Sequence, residues 1–111
     1  MKRELLLALA ISFTTMYAID DSVGVREYKA NCRVCHGVPS KGASMLTISE
    51  WDAMFINGFE KLKTKHSGNQ QATELFGSPA FDKDSKKLLE FLKNNALDSG
   101  NIRACSGASC G

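Results

Sequence analysis

The sequence predicts an all-α domain, a bundle of roughly three to five helices. Two observations carry that prediction. Apolar residues recur at three- and four-residue intervals in successive segments, and no alternating apolar–polar stretch is long enough to propose a sheet. A third sets the scale: 111 residues accommodate one domain, and no internal repeat divides them.

The amino terminus is expected to lie outside that domain. Lys2 and Arg3 precede an apolar run from Leu5 to Phe13, then small or polar residues up to Ala18, the pattern of a secretory signal peptide cut after Ala18. Met16 stands where a smaller residue is preferred, so a displaced cut, or retention of the segment as a membrane anchor, stays open. The run is about nine residues long, against about 20 for a helix that crosses a bilayer. Residues 1–18 are therefore read as signal, 19–100 as the folded domain and 101–111 as a small polar tail, with the mature protein in the periplasm.

Charge narrows the partners. The chain carries 14 Lys+Arg and 12 Asp+Glu, and removing Lys2, Arg3 and Glu4 leaves 12 against 11. A balance so near neutral, without a concentrated basic face, speaks against nucleic acid as a partner. A mature domain this short has a marginal core, and such domains recruit disulfides, metals or cofactors to complete it.

The elements come in this order. Val23 to Cys35 reads as a first helix that sets Val23, Tyr28 and the cysteine pair toward one side and ends near Gly37 and Pro39. Val38 to Ser44, with Pro39, Gly42 and two serines, reads as a loop. Thr47 or Ser49 caps a second helix bearing Trp51, Met54 and Phe55; Glu50 favours Thr47 through a capping box, and Asn57-Gly58 interrupts. Phe59 to His66 reads as a short helix or tightened loop, broken by Ser67-Gly68-Asn69, and Gln71 to Phe76 as a further helical turn closed by Gly77-Ser78-Pro79. The clearest helix is the last. Asp82 or Asp84 caps it, Leu88, Leu89, Phe91, Leu92 and Leu97 form its apolar stripe, and Ser99-Gly100 ends it.

The segment Cys32-Arg33-Val34-Cys35-His36 carries the chemistry. Two intervening residues on a helical turn bring both sulfurs to one porphyrin edge, where the thiols add to the two vinyl groups, and the next residue turns its imidazole toward the iron. The expected cofactor is one covalent haem c on Cys32 and Cys35, with His36 as the proximal iron ligand. Thioredoxin-like sites and zinc ligand pairs share the cysteine spacing. The first needs a strand-rich βαβ setting and the second needs further Cys or His ligands nearby, and neither accompanies this motif.

From Tyr28 to Leu97 the chain resembles the class I c-type cytochromes. The resemblance is carried by the attachment motif, by the aromatic-bearing middle helix around Trp51, and by Ser85-Lys86-Lys87-Leu88-Leu89-Glu90-Phe91-Leu92, a final helix of the kind that crosses the first. It implies a cytochrome c-like bundle around one haem. It also implies an exported carrier that cycles between Fe(III) and Fe(II) in a respiratory or oxidoreductase chain, serving periplasmic redox partner proteins, with no small-molecule substrate and no enzymatic turnover of its own. The chain departs from the family at Gly77-Ser78-Pro79-Ala80-Phe81, where many members have a methionine in a short loop before the last helix.

That departure leaves the sixth iron position to His66, Met54, Met45 or no side chain at all. Met16 falls in the signal, and lysine is a poor neutral donor near pH 7. His66 leads, because it is the only histidine besides His36 and lies between two predicted helices, where it can reach the opposite face of the ring. Between Lys65 and Ser67 it also reads as an ordinary solvated residue. Met54 beside Phe55 reads as core filler, and Met45 as a loop residue. A second imidazole lowers the haem potential relative to a thioether, whereas an open position allows small gases to bind and describes a haem-based sensor.

The remaining residues carry less. Cys105 and Cys110 have no histidine after them, so a disulfide closing a small loop is the simpler expectation, with a metal or redox site on the tail as the alternative. Arg33, Lys41, Lys61, Lys63 and Lys65 read either as a basic rim that steers acidic partners or as a solvated face. Trp51 and Phe55 are expected to pack on the haem or between helices. No serine or carboxylate grouping suggests hydrolysis. A permanent cytochrome subunit of one oxidoreductase complex and, more distantly, a haem-free thiol–disulfide protein complete the alternatives.

Overall fold

The computed structural model describes residues 21–101, so the signal segment 1–18 and the tail cysteines Cys105 and Cys110 lie outside the described residues. Within them every regular element is helical and no strand occurs. None of these helices is long and apolar enough to cross a membrane.

The predicted first helix is divided. Helix α1 spans Ser22–Asn31 and α2 spans Arg33–His36, with Cys32 between them at φ −115°. The helical path nevertheless persists, because Cys32 N–H donates to Tyr28 O at 2.8 Å and His36 N–H donates to Cys32 O at 3.0 Å. Gly37 stops it at φ 80°, ψ −162°, a conformation open in practice only to glycine. Tyr28 is buried as expected, Cys32 and Val23 are half-buried, and Cys35 is exposed, so the proposed common face holds only in part.

Both prolines open helices: Pro39 starts one where a loop is predicted, and Pro79 starts the last helix earlier than predicted. The predicted loop over Val38 to Ser44 contains helix α3, Pro39–Ala43, with Pro39 in its first turn. The last helix, α7, begins at Pro79 and runs to Asn94, and its cap is Ser78, not Asp82 or Asp84: Phe81 N–H donates to Ser78 Oγ at 3.2 Å. Proline at the first helical position loses nothing, since that N–H has no intrahelical partner anyway. Leu97 lies beyond α7 and is exposed, so it leaves the apolar stripe; its N–H donates to Leu46 O at 3.0 Å.

Between these come three more α-helices, α4 (Ile48–Phe55), α5 (Glu60–Lys65) and α6 (Gln70–Phe76), and one 3-10 turn, Asn57–Phe59. The described residues thus form seven α-helices where three to five were expected, because short capped segments each make their own turn. Thr47 caps α4 through the full capping box, with Glu50 N–H donating to Thr47 Oγ1 and Thr47 N–H donating to Glu50 Oε2 at 2.8 Å. These bonds from Thr47 hold the Glu50 carboxyl below its ordinary range. Asn57-Gly58 interrupts as predicted, and the left-handed backbone extends through Phe59 at φ 63°. A bulky residue there is strained, and the strain is held by burial of its ring against Phe81 and Phe55, at centroid distances of 5.1 and 5.8 Å.

Helix α7 is the spine. Its Leu88, Phe91 and Leu92 are buried, α1 crosses it at Gly24, and α4 packs beside them. Two polar pins fix the short elements to this frame. Trp51 Nε1–H donates to Ala43 O at 2.8 Å, tying α4 to α3, and Tyr28 Oη–H donates to Gly37 O at 3.0 Å, tying α1 to the residue after His36.

Candidate functional site

Helices α1, α2, α4, α5, α6 and α7 enclose a cavity of about 400 Å³. Its walls are mostly apolar, with Leu46, Trp51, Leu62, Leu75, Leu88 and Leu92 among the lining residues. Val34 and Met45 belong to the wall and are 84% and 46% exposed, so the cavity reaches the surface there. Cys32, Cys35 and His36 all line it. The sequence motif therefore borders a predominantly apolar space.

Cys32 is the more sheltered of the two thiols. Burial, reinforced by Glu27 and Cys35, pushes it up to about 11. A nucleophilic redox cysteine needs the opposite shift, toward a stable thiolate, so the thioredoxin-like reading gains nothing from this environment. The Tyr28 phenol, close by, is likewise pushed up to about 12, by burial first and Cys32 second.

His66 ends α5 and enters the same cavity. Its Nδ1 lies 2.7 Å from Leu62 O, one helical turn back, and its ring meets Phe76 at 5.1 Å between centroids. The His66 and His36 rings are 5.9 Å apart between centroids with an interplanar angle of 82°. Thirty residues of chain separate these two, and the fold brings them together at the apolar space.

Comparison with protein-family models, curated proteins and solved structures found no match.

The other sequence candidates distribute unevenly. Met45, Met54, Trp51 and Phe55 all border the cavity. Of Arg33, Lys41, Lys61, Lys63 and Lys65, only Lys65 lines it. Lys61 instead faces a separate shallow groove with Ile56 and Glu60. Sequence reasoning missed the part played by Leu62, whose carbonyl holds His66; a histidine four residues after an apolar helical residue was the available signal. It also missed Asn69 and Gln71, polar residues on an otherwise apolar wall, which nothing in their local sequence distinguishes.

Proposed function

We propose that the chain is a periplasmic electron carrier holding one haem c through Cys32 and Cys35, with His36 on the iron. The observation that carries this reading is that Cys32, Cys35 and His36 share the wall of one apolar cavity that reaches the surface. A porphyrin needs apolar faces, two thiols at one edge and a nitrogen donor toward its centre, and these residues fit that demand. Among the described residues no three His, Cys, Asp or Glu side chains converge as a ligand group. A bare ion would find few donors at this site, whereas a porphyrin brings its own.

Cys32 and Cys35 would hold the haem as thioethers, each S–H adding across one vinyl group, sulfur to one carbon and hydrogen to the next, so that attachment would need no oxidant. When bound, the haem supplies the one-electron Fe(III)/Fe(II) couple. His36 would ligate the iron, on a turn fixed by Gly37 and by the Tyr28 hydroxyl. The apolar walls would limit water around a bound haem, which is one of the levers that set its potential. Exposed Val34 and Met45 leave part of the cavity at the surface, where a protein partner can approach within electron-transfer range. The amino-terminal pattern of Lys2, Arg3 and the Leu5–Phe13 run supports export.

The test is haem staining of periplasmically matured protein after acid-acetone extraction. Colour that stays with the polypeptide supports covalent attachment, and complete extraction overturns it. Gel filtration then separates a free carrier, which elutes as a monomer, from a subunit that copurifies with one oxidoreductase.

A further inference from the structure

Resting on the haem reading above, we infer that His66 supplies the second axial ligand, so that the iron lies between two imidazoles. The spacing is the first argument. A metal held by two opposed imidazole nitrogens, each about 2.0–2.1 Å away, sets the ring centroids roughly 6.3 Å apart. His36 and His66 stand at 5.9 Å with their planes at 82°, within a few tenths of an ångström of the ligated distance.

Tautomer is the second argument. Nδ1 of His66 lies 2.7 Å from the Leu62 carbonyl, and a carbonyl only accepts, so Nδ1 carries a hydrogen and Nε2 is the atom that a neutral ring offers as a donor to a metal. A backbone carbonyl on the far nitrogen is the support that metal-bound histidines commonly have. The ring is thus turned and held with its donor atom free before any metal arrives. Phe76 restricts its rotation from the side.

The rivals lack this combination. Met45 is 46% exposed at the cavity mouth, and Met54 packs against the apolar core beside Phe55. Ser78, in the segment where many class I cytochromes carry a methionine, is engaged as the α7 cap, its hydroxyl donating to Leu75 O at 2.8 Å.

The experiment is low-temperature electron paramagnetic resonance and optical spectroscopy of the matured ferric protein, with carbon monoxide added to the reduced form. Wild type is expected to be low-spin, to lack the far-red sulfur-to-iron band and to leave carbon monoxide unbound. His66→Ala should become high-spin and bind the gas, and His66→Met should gain the sulfur band and a higher midpoint potential. A high-spin wild type, a sulfur band in wild type, or an unchanged spectrum in His66→Ala overturns this inference while the covalent haem stands. Loss of all colour on acid-acetone extraction removes the haem reading itself and this inference with it. The wild-type spectrum decides the matter even if a His66 variant fails to fold.

Discussion

Gly24 and Phe91 touch backbone to side chain where α1 crosses α7: a Cβ on Gly24 would come within 2.5 Å of Phe91 Cβ and closer still to the Lys87 carbonyl. That contact sets the distance between the two helices on which the cavity depends. Ordinarily alanine improves a helix interior by about 1 kcal/mol over glycine. Here the clash wins. Gly24→Ala is expected to destabilise by about 1–3 kcal/mol, read as a lower denaturation midpoint by circular dichroism. An unchanged or raised midpoint would show that the helices do not cross at this distance.

Gly58 offers the contrasting case. A Cβ there meets nothing within 4 Å, but the backbone sits at φ 64°. Gly58→Ala should therefore cost about 1–2 kcal/mol through conformation alone. Gly58→Asn, which tolerates the left-handed region, should recover part of that loss in the same denaturation measurement.

Trp51 donates its indole N–H to Ala43 O from a buried position. Trp51→Phe removes the donor and leaves a carbonyl without it, so a loss of about 1–3 kcal/mol is expected. Because Trp51 also lines the cavity, the variant should lose haem or change its absorption envelope, whereas Gly58→Ala should not.

Tyr28 predicts an alkaline limit. Its phenol is pushed from 10.0 up to about 12 by burial, with Cys32 second, so above pH 10 the unfolded chain releases this proton while the folded chain retains it. The contribution is therefore complete below pH 10 and is lost as pH rises toward 12. Tyr28→Phe should cost about 1 kcal/mol at neutral pH through the lost bond to Gly37, and its stability should fall less than that of wild type between pH 10 and 12. Parallel curves for the two proteins would assign the alkaline loss to other groups.

Attachment has its own variant series. Cys32→Ala and Cys35→Ala together should abolish the haem stain on a denaturing gel, and each alone should leave the haem held by one bond. A stain that survives the double variant would exclude these thiols as the attachment points.

Sequence by itself determined the helical class, the Thr47–Glu50 capping box, the Asn57-Gly58 break, the inward residues Leu88, Phe91 and Leu92 and the Cys32–Cys35–His36 motif. Each rests on spacing within a few residues or on one residue's backbone preference, so local sequence holds the whole of the information. The prolines marked the limit of local reading: Pro39 and Pro79 each close one segment and open the next, and which role dominates depends on a neighbouring cap such as Ser78. Only the tertiary structure decided that Leu97 is exposed, that Lys65 alone of the five basic residues lines the cavity, and that His66 meets His36. Those relations join residues far apart along the chain. They are set by where α1 and α4 pack on α7, a sum of many weak contacts that no single segment contains.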